Sequence, residues 1–118
     1  MASINRSALL PFSAEAVFEL INNVSAYPEF MEGCRSVQVL TESDTEMVAT
    51  LEIEKAGLRQ SFTTRNTLTP PNHIALSLEK GPFNSFEGEW SILELGNAGS
   101  KVTFNLSFEL SNALIGGA

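Results

Sequence analysis

A succession of strand-like segments between Arg35 and Leu110 constrains the fold of this chain more than any other feature. Apolar and polar residues alternate in each segment, and short polar or Gly/Pro-rich turns are predicted at residues 42–44, 55–57, 70–72, 81–82 and 96–99. Sequential strands joined by short turns pair in antiparallel fashion. The alternation gives such a sheet one apolar face and one solvated face. The sequence therefore predicts an antiparallel meander of six strands.

A strand and two helices are predicted before this meander. Residues 3–10 alternate and predict an edge or pairing strand. Ser13 has the character of a helix N-cap, and apolar residues at i, i+3, i+4 and i+7 spacing predict a helix that runs to about Asn23. Pro28 suits the first turn of a short second helix. The fold class predicted from the residues is α+β, with the first helix packed on the sheet.

The C-terminal end predicts only the beginning of a further helix, at Ala113-Leu114-Ile115 after a cap at Ser111-Asn112. One helix of about a dozen residues is roughly 18 Å long. That is too short to cover six strands spaced about 4.8 Å apart. We therefore expect a single domain over residues 1–118 that lacks a long C-terminal helix.

The uncovered sheet face leads to an energetic expectation. An exposed apolar area on the order of 500 Å² exceeds what monomers usually leave open. At roughly 25 cal/mol per Å², it represents about 12 kcal/mol of unrealised burial. We therefore expect either that the chain is part of a longer one or that it self-associates through this face.

Charge and cysteine content restrict the partners and the compartment. The chain has 118 residues and a formal net charge of −7, with 7 Lys and Arg against 14 Asp and Glu. This balance argues against general affinity for phosphate backbones, so no DNA binding is expected. Cys34 is the single cysteine, which fits a reducing compartment. The sequence shows no apolar run long enough to span a membrane and no signal-peptide pattern, so a cytoplasmic location is expected.

Few residues suggest catalysis or metal binding. His73, the only histidine, follows a turn, where a general base is one interpretation and a solvent-exposed surface histidine is the other. Cys34 has no histidine near it in sequence, and a buried thiol is the simpler interpretation. One His and one Cys cannot complete a closed zinc site. We expect no enzyme activity, no metal and no obligatory cofactor.

Charged side chains on the outward strand faces also have two interpretations. Glu52 with Glu54, and Glu87 with Glu89, are either carboxylate pairs or solvated residues. Arg65 is either an anion-binding residue or a partner in a cross-strand ion pair.

The segment at residues 81–90 contains the only tryptophan. Phe86, Gly88 and Trp90 fall at spacing two and share one strand face. A glycine between two large aromatic residues predicts a gap on that face, either a site of close packing or a space that holds an apolar guest.

Several motifs together resemble the family of coenzyme Q-binding proteins and the ribosome-association toxin RatA, and the resemblance covers essentially the whole chain. They lie at residues 7–15 (SALLPFSAE), 27–30 (YPEF), 33–34 (GC), 55–57 (KAG), 62–66 (FTTRN), 81–83 (GPF) and 88–90 (GEW). The chain departs from the family where Met31-Glu32 replaces a usual Leu-Pro, and in the expected absence of the long C-terminal helix.

This resemblance implies the helix-grip fold, a curved antiparallel sheet of the START/Bet v1-like type. It implies a non-catalytic domain that binds a hydrophobic small molecule, such as ubiquinone or another lipid. For RatA members it implies, as the alternative, binding to the large ribosomal subunit and inhibition of subunit joining. Self-association and peripheral membrane contact complete the candidate partners.

The concave face of the predicted sheet is the expected binding face. Its candidate ligand-binding residues are the inward-facing apolar side chains and two polar residues of the successive strands. They are Met47, Leu51, Ile53, Phe62, Thr64, Asn66, Leu76, Leu78, Phe86, Trp90, Phe104 and Leu106.

Overall fold

A seven-stranded antiparallel sheet and two short α-helices make up the computed structural model, which describes residues 2–55 and 57–111. The elements in chain order are β1 (Ala2–Leu10), α1 (Ala14–Asn22), a 3₁₀ turn (Val24–Ala26), α2 (Tyr27–Phe30), β2 (Cys34–Glu42), β3 (Glu46–Lys55), β4 (Leu58–Thr69), β5 (His73–Lys80), β6 (Phe83–Glu94), a second 3₁₀ turn (Gly96–Ala98) and β7 (Ser100–Leu110).

The strand order is β1-β7-β6-β5-β4-β3-β2, and every neighbouring pair is antiparallel. Strands β2 to β7 therefore form the predicted meander, and β1 adds to β7 as an edge strand. The predicted fold class is confirmed.

Irregularities in the strand pairing accompany the curvature of the sheet. The register shifts within β2, at Thr63/Thr64 in β4 and between Phe83 and Ser85 in β6. Such bulges bend a strand and increase its twist. Gly81, in the turn before β6, is packed so closely that a Cβ atom there would lie 2.6 Å from Cβ of Phe62. Only glycine lets the chain turn at that distance from β4.

Helix α1 is capped as the sequence predicts. The Oγ atom of Ser13 accepts a hydrogen bond from the backbone N–H of Ala16 at 3.2 Å. The carboxylate of Glu94 accepts a second one from the N–H of Ala14 at 2.8 Å. A negative group at a helix N-terminus also interacts favourably with the helix dipole. These contacts tie the start of α1 to the end of β6.

Two buried clusters form the core. The larger joins α1 to the sheet and consists of Ala14, Val17, Phe18, Leu68, Ile74, Ile92 and Val102. The smaller lies under the 3₁₀ turn that follows α1 and consists of Val24, Met47 and Ala49. The apolar stripe of α1 is therefore buried, as its spacing predicts.

The convex face is less solvated than the alternation predicts. Val48 and Thr63 alternate with inward-facing residues, yet they are 8% and 4% exposed. Thr63 shares a hydrogen bond with Thr50 across the β3–β4 pair, with their hydroxyl oxygens 2.7 Å apart. Val48 lies opposite Arg65, whose long side chain is held between two carboxylates on this face. Part of the convex face is therefore shielded from solvent.

The predicted helix start at residues 113–115 lies outside the described residues. Among the residues that the structure describes, no helix is long and apolar enough to cross a membrane.

Candidate functional site

An apolar cavity with a volume of about 210 Å³ lies between the sheet and the segment that runs from the end of α1 to the residue after α2. Its walls are almost entirely aliphatic and aromatic. They are formed by Ile21, Asn22, Val24, Tyr27, Met31, Leu51, Phe62, Thr64, Asn66, Ile74, Leu76, Phe86, Trp90, Phe104 and Leu106.

Nine of the twelve candidate residues surround this cavity. They are Leu51, Phe62, Thr64, Asn66, Leu76, Phe86, Trp90, Phe104 and Leu106. The structure places the other three elsewhere. Met47 is 1% exposed in the smaller core cluster, beneath the turn that follows α1. Ile53 pairs with Cys34 near the end of β3, and Leu78 packs against Gly81 at the β5–β6 turn.

Six wall residues are absent from the sequence-based set. Ile21 and Asn22 come from the end of α1, Val24 from the 3₁₀ turn, Tyr27 and Met31 from the α2 segment, and Ile74 from β5. Ile21 and Val24 belong to the apolar stripe of the predicted helix, so periodicity could have found them. Asn22 is a polar residue at the end of α1, Tyr27 is the first residue of the four-residue α2, and Met31 follows α2, so hydrophobic periodicity does not mark these three positions.

The gap predicted above Gly88 is filled by side chains of the two adjacent strands. A Cβ atom on Gly88 would lie 3.0 Å from Cδ1 of Leu106 and 3.4 Å from Cδ1 of Leu76. Both leucines lie opposite Gly88 in register, on β7 and β5. The glycine therefore does not itself hold an empty space. Because Gly88 has no side chain, Leu76 and Leu106 can pack close to the backbone of β6, and the cavity lies on the side of these leucines that faces away from the sheet.

Aromatic rings make two parts of the cavity wall. The rings of Trp90 and Phe104 lie 4.4 Å apart between centroids, with an angle of 36° between their planes. Phe62 and Phe86 belong to a second cluster, in which Phe83 is 5.7 Å from Phe62 and 5.2 Å from Phe86. Such ring pairs contribute stability beyond the area that they bury, so they stabilise the positions of the aromatic side chains in the wall.

The polar groups of the cavity wall are few, and most of them are paired. The hydroxyl of Tyr27 donates to the carbonyl of Ile21, and Oγ1 of Thr64 donates to Oδ1 of Asn66 at 3.0 Å. Burial, with a smaller effect from nearby Cys34, raises the pKa of Tyr27 to about 12, so its hydroxyl is protonated at neutral pH. The fifteen wall residues include no Asp, Glu, Lys, Arg, His or Cys. The cavity is therefore suited to an uncharged guest.

A second, more open cavity of about 320 Å³ adjoins the first at the end of α1. Asn22 and Val24 line both cavities. The second one also contains Glu19 and Glu42, and its wall is more polar. These two shared residues therefore lie between the apolar cavity and the more polar one.

The charged residues considered in the sequence form ion pairs away from the cavity. Arg35 and Arg59 both bind Glu54, at 2.7 and 3.3 Å, and approach Glu52 at 3.7 and 3.9 Å. The hydrogen bond from Arg35 is the main cause that lowers the pKa of Glu54. These carboxylates are balanced by arginines rather than poised for acid–base chemistry.

Arg65 lies between Glu46 and Glu79, with N–O distances of 2.5 Å to each. The cross-strand ion pair is therefore the correct interpretation of this arginine. His73 is the first residue of β5, is partly exposed rather than fully solvated, and its Nε2 atom lies 3.0 Å from Glu89. That hydrogen bond lowers the pKa of Glu89.

Cys34 is buried, and burial raises the pKa of its thiol. A higher pKa reduces the fraction of reactive thiolate. Among the described residues, no group of three or more His, Cys, Asp or Glu side chains is arranged to hold a metal ion.

Residues 10–118 match the family described as polyketide cyclase / dehydrase and lipid transport. The chain belongs to this family. A Vibrio cholerae relative named ribosome association toxin RatA is 46% identical over 115 residues, which cover 98% of this chain and 80% of the relative. The mitochondrial coenzyme Q-binding protein coq10 of Schizosaccharomyces pombe is 28% identical over 119 residues, which cover 93% of this chain and 70% of the relative. The predicted resemblance is confirmed.

Two solved structures share the fold of this chain. The Zhui aromatase/cyclase of Streptomyces sp. R1128 superposes with a TM-score of 0.82 at 22% identity, covering 92% of this chain and 68% of that one. A START superfamily protein of Mycobacterium smegmatis gives 0.79 at 21% identity, covering 92% and 77%. The Vibrio cholerae and Schizosaccharomyces pombe relatives are named a toxin and a coenzyme Q-binding protein, while the fold is shared with an aromatase/cyclase.

Proposed function

We propose that this chain is a non-catalytic START-like domain that binds a hydrophobic small molecule, such as a quinone or another lipid, in the apolar cavity. The observation that carries the proposal is the wall itself, fifteen residues without a charged side chain around a space of about 210 Å³. Ligand sites are typically concave and apolar with a few placed polar groups. The relative named as a coenzyme Q-binding protein adds support.

The size of the cavity limits how much of a ligand it encloses. An apolar cavity of about 150 Å³ is enough to hold benzene, and this one measures about 210 Å³. A ring-sized group therefore fits inside, and a long isoprenoid or acyl chain does not. We propose that the rest of such a ligand extends out of the cavity.

The absence of catalysis belongs to the same proposal. Proton transfer needs a group with a suitable pKa within reach of the substrate. The cavity wall offers none, because Tyr27 has a pKa of about 12 and His73 is hydrogen-bonded to Glu89 outside the wall. Turnover of an aromatic polyketide or an ester by the purified chain, lost in His73→Ala, would overturn this part.

Binding is testable with a short-tailed ubiquinone, decylubiquinone, and the fluorescence of Trp90. Because this single tryptophan lines the cavity, saturable 1:1 quenching is expected. Leu106→Phe adds bulk inside the cavity and should weaken binding about ten-fold or more, the equivalent of roughly 1.4 kcal/mol.

Leu93→Phe is the matched control, because Leu93 also lies on a strand but is 60% exposed. It should bind decylubiquinone as the parent chain does. No quenching by the parent chain, or equal affinity in both variants, would contradict the proposal.

A second candidate function is association with the large ribosomal subunit and inhibition of subunit joining. The specific observation in its favour is the 46% identity to a protein named ribosome association toxin RatA. Arg35, Arg59 and Arg65 are already paired with carboxylates, and the chain has a net charge of −7. We therefore expect a contact with ribosomal protein rather than with RNA phosphates.

Sucrose-gradient sedimentation with purified subunits tests this candidate. The chain should migrate with the large subunit and reduce the amount of joined ribosomes. Migration only at the top of the gradient, with unchanged joining, would exclude it. The Leu106→Phe variant in the same gradient shows whether an open cavity is needed for the association.

A further inference from the structure

The hydrogen-bonding groups of the cavity wall differ in whether the protein satisfies them. The Tyr27 hydroxyl donates to Ile21, and the Oδ1 atom of Asn66 accepts from Thr64. In contrast, the Oδ1 atom of Asn22 is buried and has no hydrogen-bond partner among the described residues. Buried polar atoms of folded proteins nearly always have a partner, so an unpaired one calls for an explanation.

Asn22 can present its oxygen to a guest without losing a contact. Its side chain makes no hydrogen bond within the described residues, so rotation about the Cβ–Cγ bond breaks none. Asn22 lines both the apolar cavity and the adjoining polar one. It therefore lies where a polar end of an otherwise apolar ligand would be placed.

Asn66 offers the complementary group from the sheet. Since its oxygen accepts from Thr64, its amide nitrogen is left to donate, and Asn66 lines the same cavity. A hydroxyl group both donates and accepts. A hydroxyl group in this cavity can therefore donate to the oxygen of Asn22 or accept from the nitrogen of Asn66, whereas a carboxylate can only accept and would enter a wall with no cation.

We propose that, among uncharged ring-sized heads, the cavity prefers one that carries a hydroxyl group, of the phenol or hydroquinone kind, over the corresponding quinone, and that Asn22 is the residue that recognises this hydroxyl. The inference rests on the proposed ligand-binding function. It adds which chemical class is bound and where its polar end lies. Fatty acids, whose polar end is a carboxylate, are excluded.

Three single-ring probes of similar shape test the proposal on the full chain: 4-propylphenol, its near-isostere 4-propyltoluene, and 4-propylbenzoate. Affinities are measured by calorimetry for the parent chain and for Asn22→Leu, which keeps a similar size. Loss of one hydrogen bond to a buried group should reduce the preference for the phenol over the toluene analogue about ten-fold. The affinity for 4-propyltoluene should change little, and the benzoate should bind weakest to the parent chain.

Asn23→Leu is the matched control, because Asn23 lines the polar cavity and is not among the fifteen wall residues of the apolar one. It should keep the phenol preference of the parent chain. An unchanged preference in Asn22→Leu, or the tightest parent-chain binding with 4-propylbenzoate, would overturn the inference while leaving apolar binding intact. If none of the three probes binds the parent chain, the proposed function fails together with the inference. The comparison of probes on the parent chain tests the preference for a hydroxyl group even if Asn22→Leu does not fold.

Discussion

Replacement of Gly88 by valine should close the cavity from below. A Cβ atom there would lie 3.0 Å from Leu106 Cδ1, 3.4 Å from Leu76 Cδ1 and 3.2 Å from the backbone oxygen of Asn105. The leucine side chains can move, but the backbone oxygen cannot move without disturbing the β6–β7 pair. The leucines would therefore be pushed upward into the cavity.

The size of the effect follows from the volumes. Valine adds three carbon atoms to Gly88. If each occupies about 30 Å³, which is the volume per molecule in liquid water, valine displaces about 90 Å³ of the 210 Å³ cavity. What is left is smaller than the roughly 150 Å³ that holds benzene. Overpacking lowers the free energy of unfolding by about 1–3 kcal/mol, and replacement of a glycine within a strand raises it by about 0.5–1 kcal/mol. We expect Gly88→Val to be folded, less stable by about 1–2 kcal/mol, and unable to bind decylubiquinone.

The assay combines urea unfolding with decylubiquinone titration. Ile92→Val is the control for stability, because Ile92 is buried in the larger core cluster, is not part of the cavity wall, and its change should cost about 0.5–1.5 kcal/mol. This control should bind as the parent chain does. A folded Gly88→Val protein with the affinity of the parent chain would refute the reasoning that places the ligand above Gly88.

Three other predictions concern stability and titration. Ser13→Ala removes the α1 cap and should lower the free energy of unfolding by about 1 kcal/mol in urea; an unchanged midpoint would show that Glu94 alone caps the helix. Tyr27, the only tyrosine, should ionise near pH 12 in the folded chain and near 10 in urea. Stability should therefore fall as pH rises from 10 to 12, and phenolate absorbance near pH 10 in the native chain would be inconsistent with a buried Tyr27. Arg35, Arg65 and His73 lower the pKa values of Glu54, Glu79 and Glu89 below 4.5. The three ion pairs therefore contribute to the free energy of unfolding above pH 4.5, and this contribution is lost as pH falls below 4.5. Arg65→Met should make the free energy of unfolding depend less on pH in the acid range, and an unaltered pH dependence would contradict this.

The sequence predicts the sheet well because its evidence is local. Alternation along β7 from Val102 to Leu110 specifies which side chains share a face. Short turns can join only antiparallel neighbours, because parallel strands need a long crossover connection. The same alternation predicts Phe62, Trp90 and Leu106 on the face that the structure shows around the cavity. It does not specify how far along each strand the cavity extends, so it also included Ile53 and Leu78.

What the sequence could not predict depends on contacts between distant segments. Tyr27 and Met31 reach the cavity from the four-residue α2 and the residue that follows it, a segment too short to show hydrophobic periodicity. The space above Gly88 is filled by leucines from the two neighbouring strands, and their rotamers are set by tertiary packing. The unpaired oxygen of Asn22 is likewise visible only when the cavity is assembled.

The central claim, that this cavity is the ligand site, is tested most directly by methyl NMR of the full chain during titration with 4-propylphenol. Leucines of the wall and leucines on the surface act as internal reporters in the same spectrum. We predict saturable shifts at the methyl groups of Leu51, Leu76 and Leu106, which line the cavity, and none at Leu9, Leu40 and Leu93, which are at least half exposed. Shifts confined to the exposed leucines, or no saturable shift at the three wall leucines, would contradict the account.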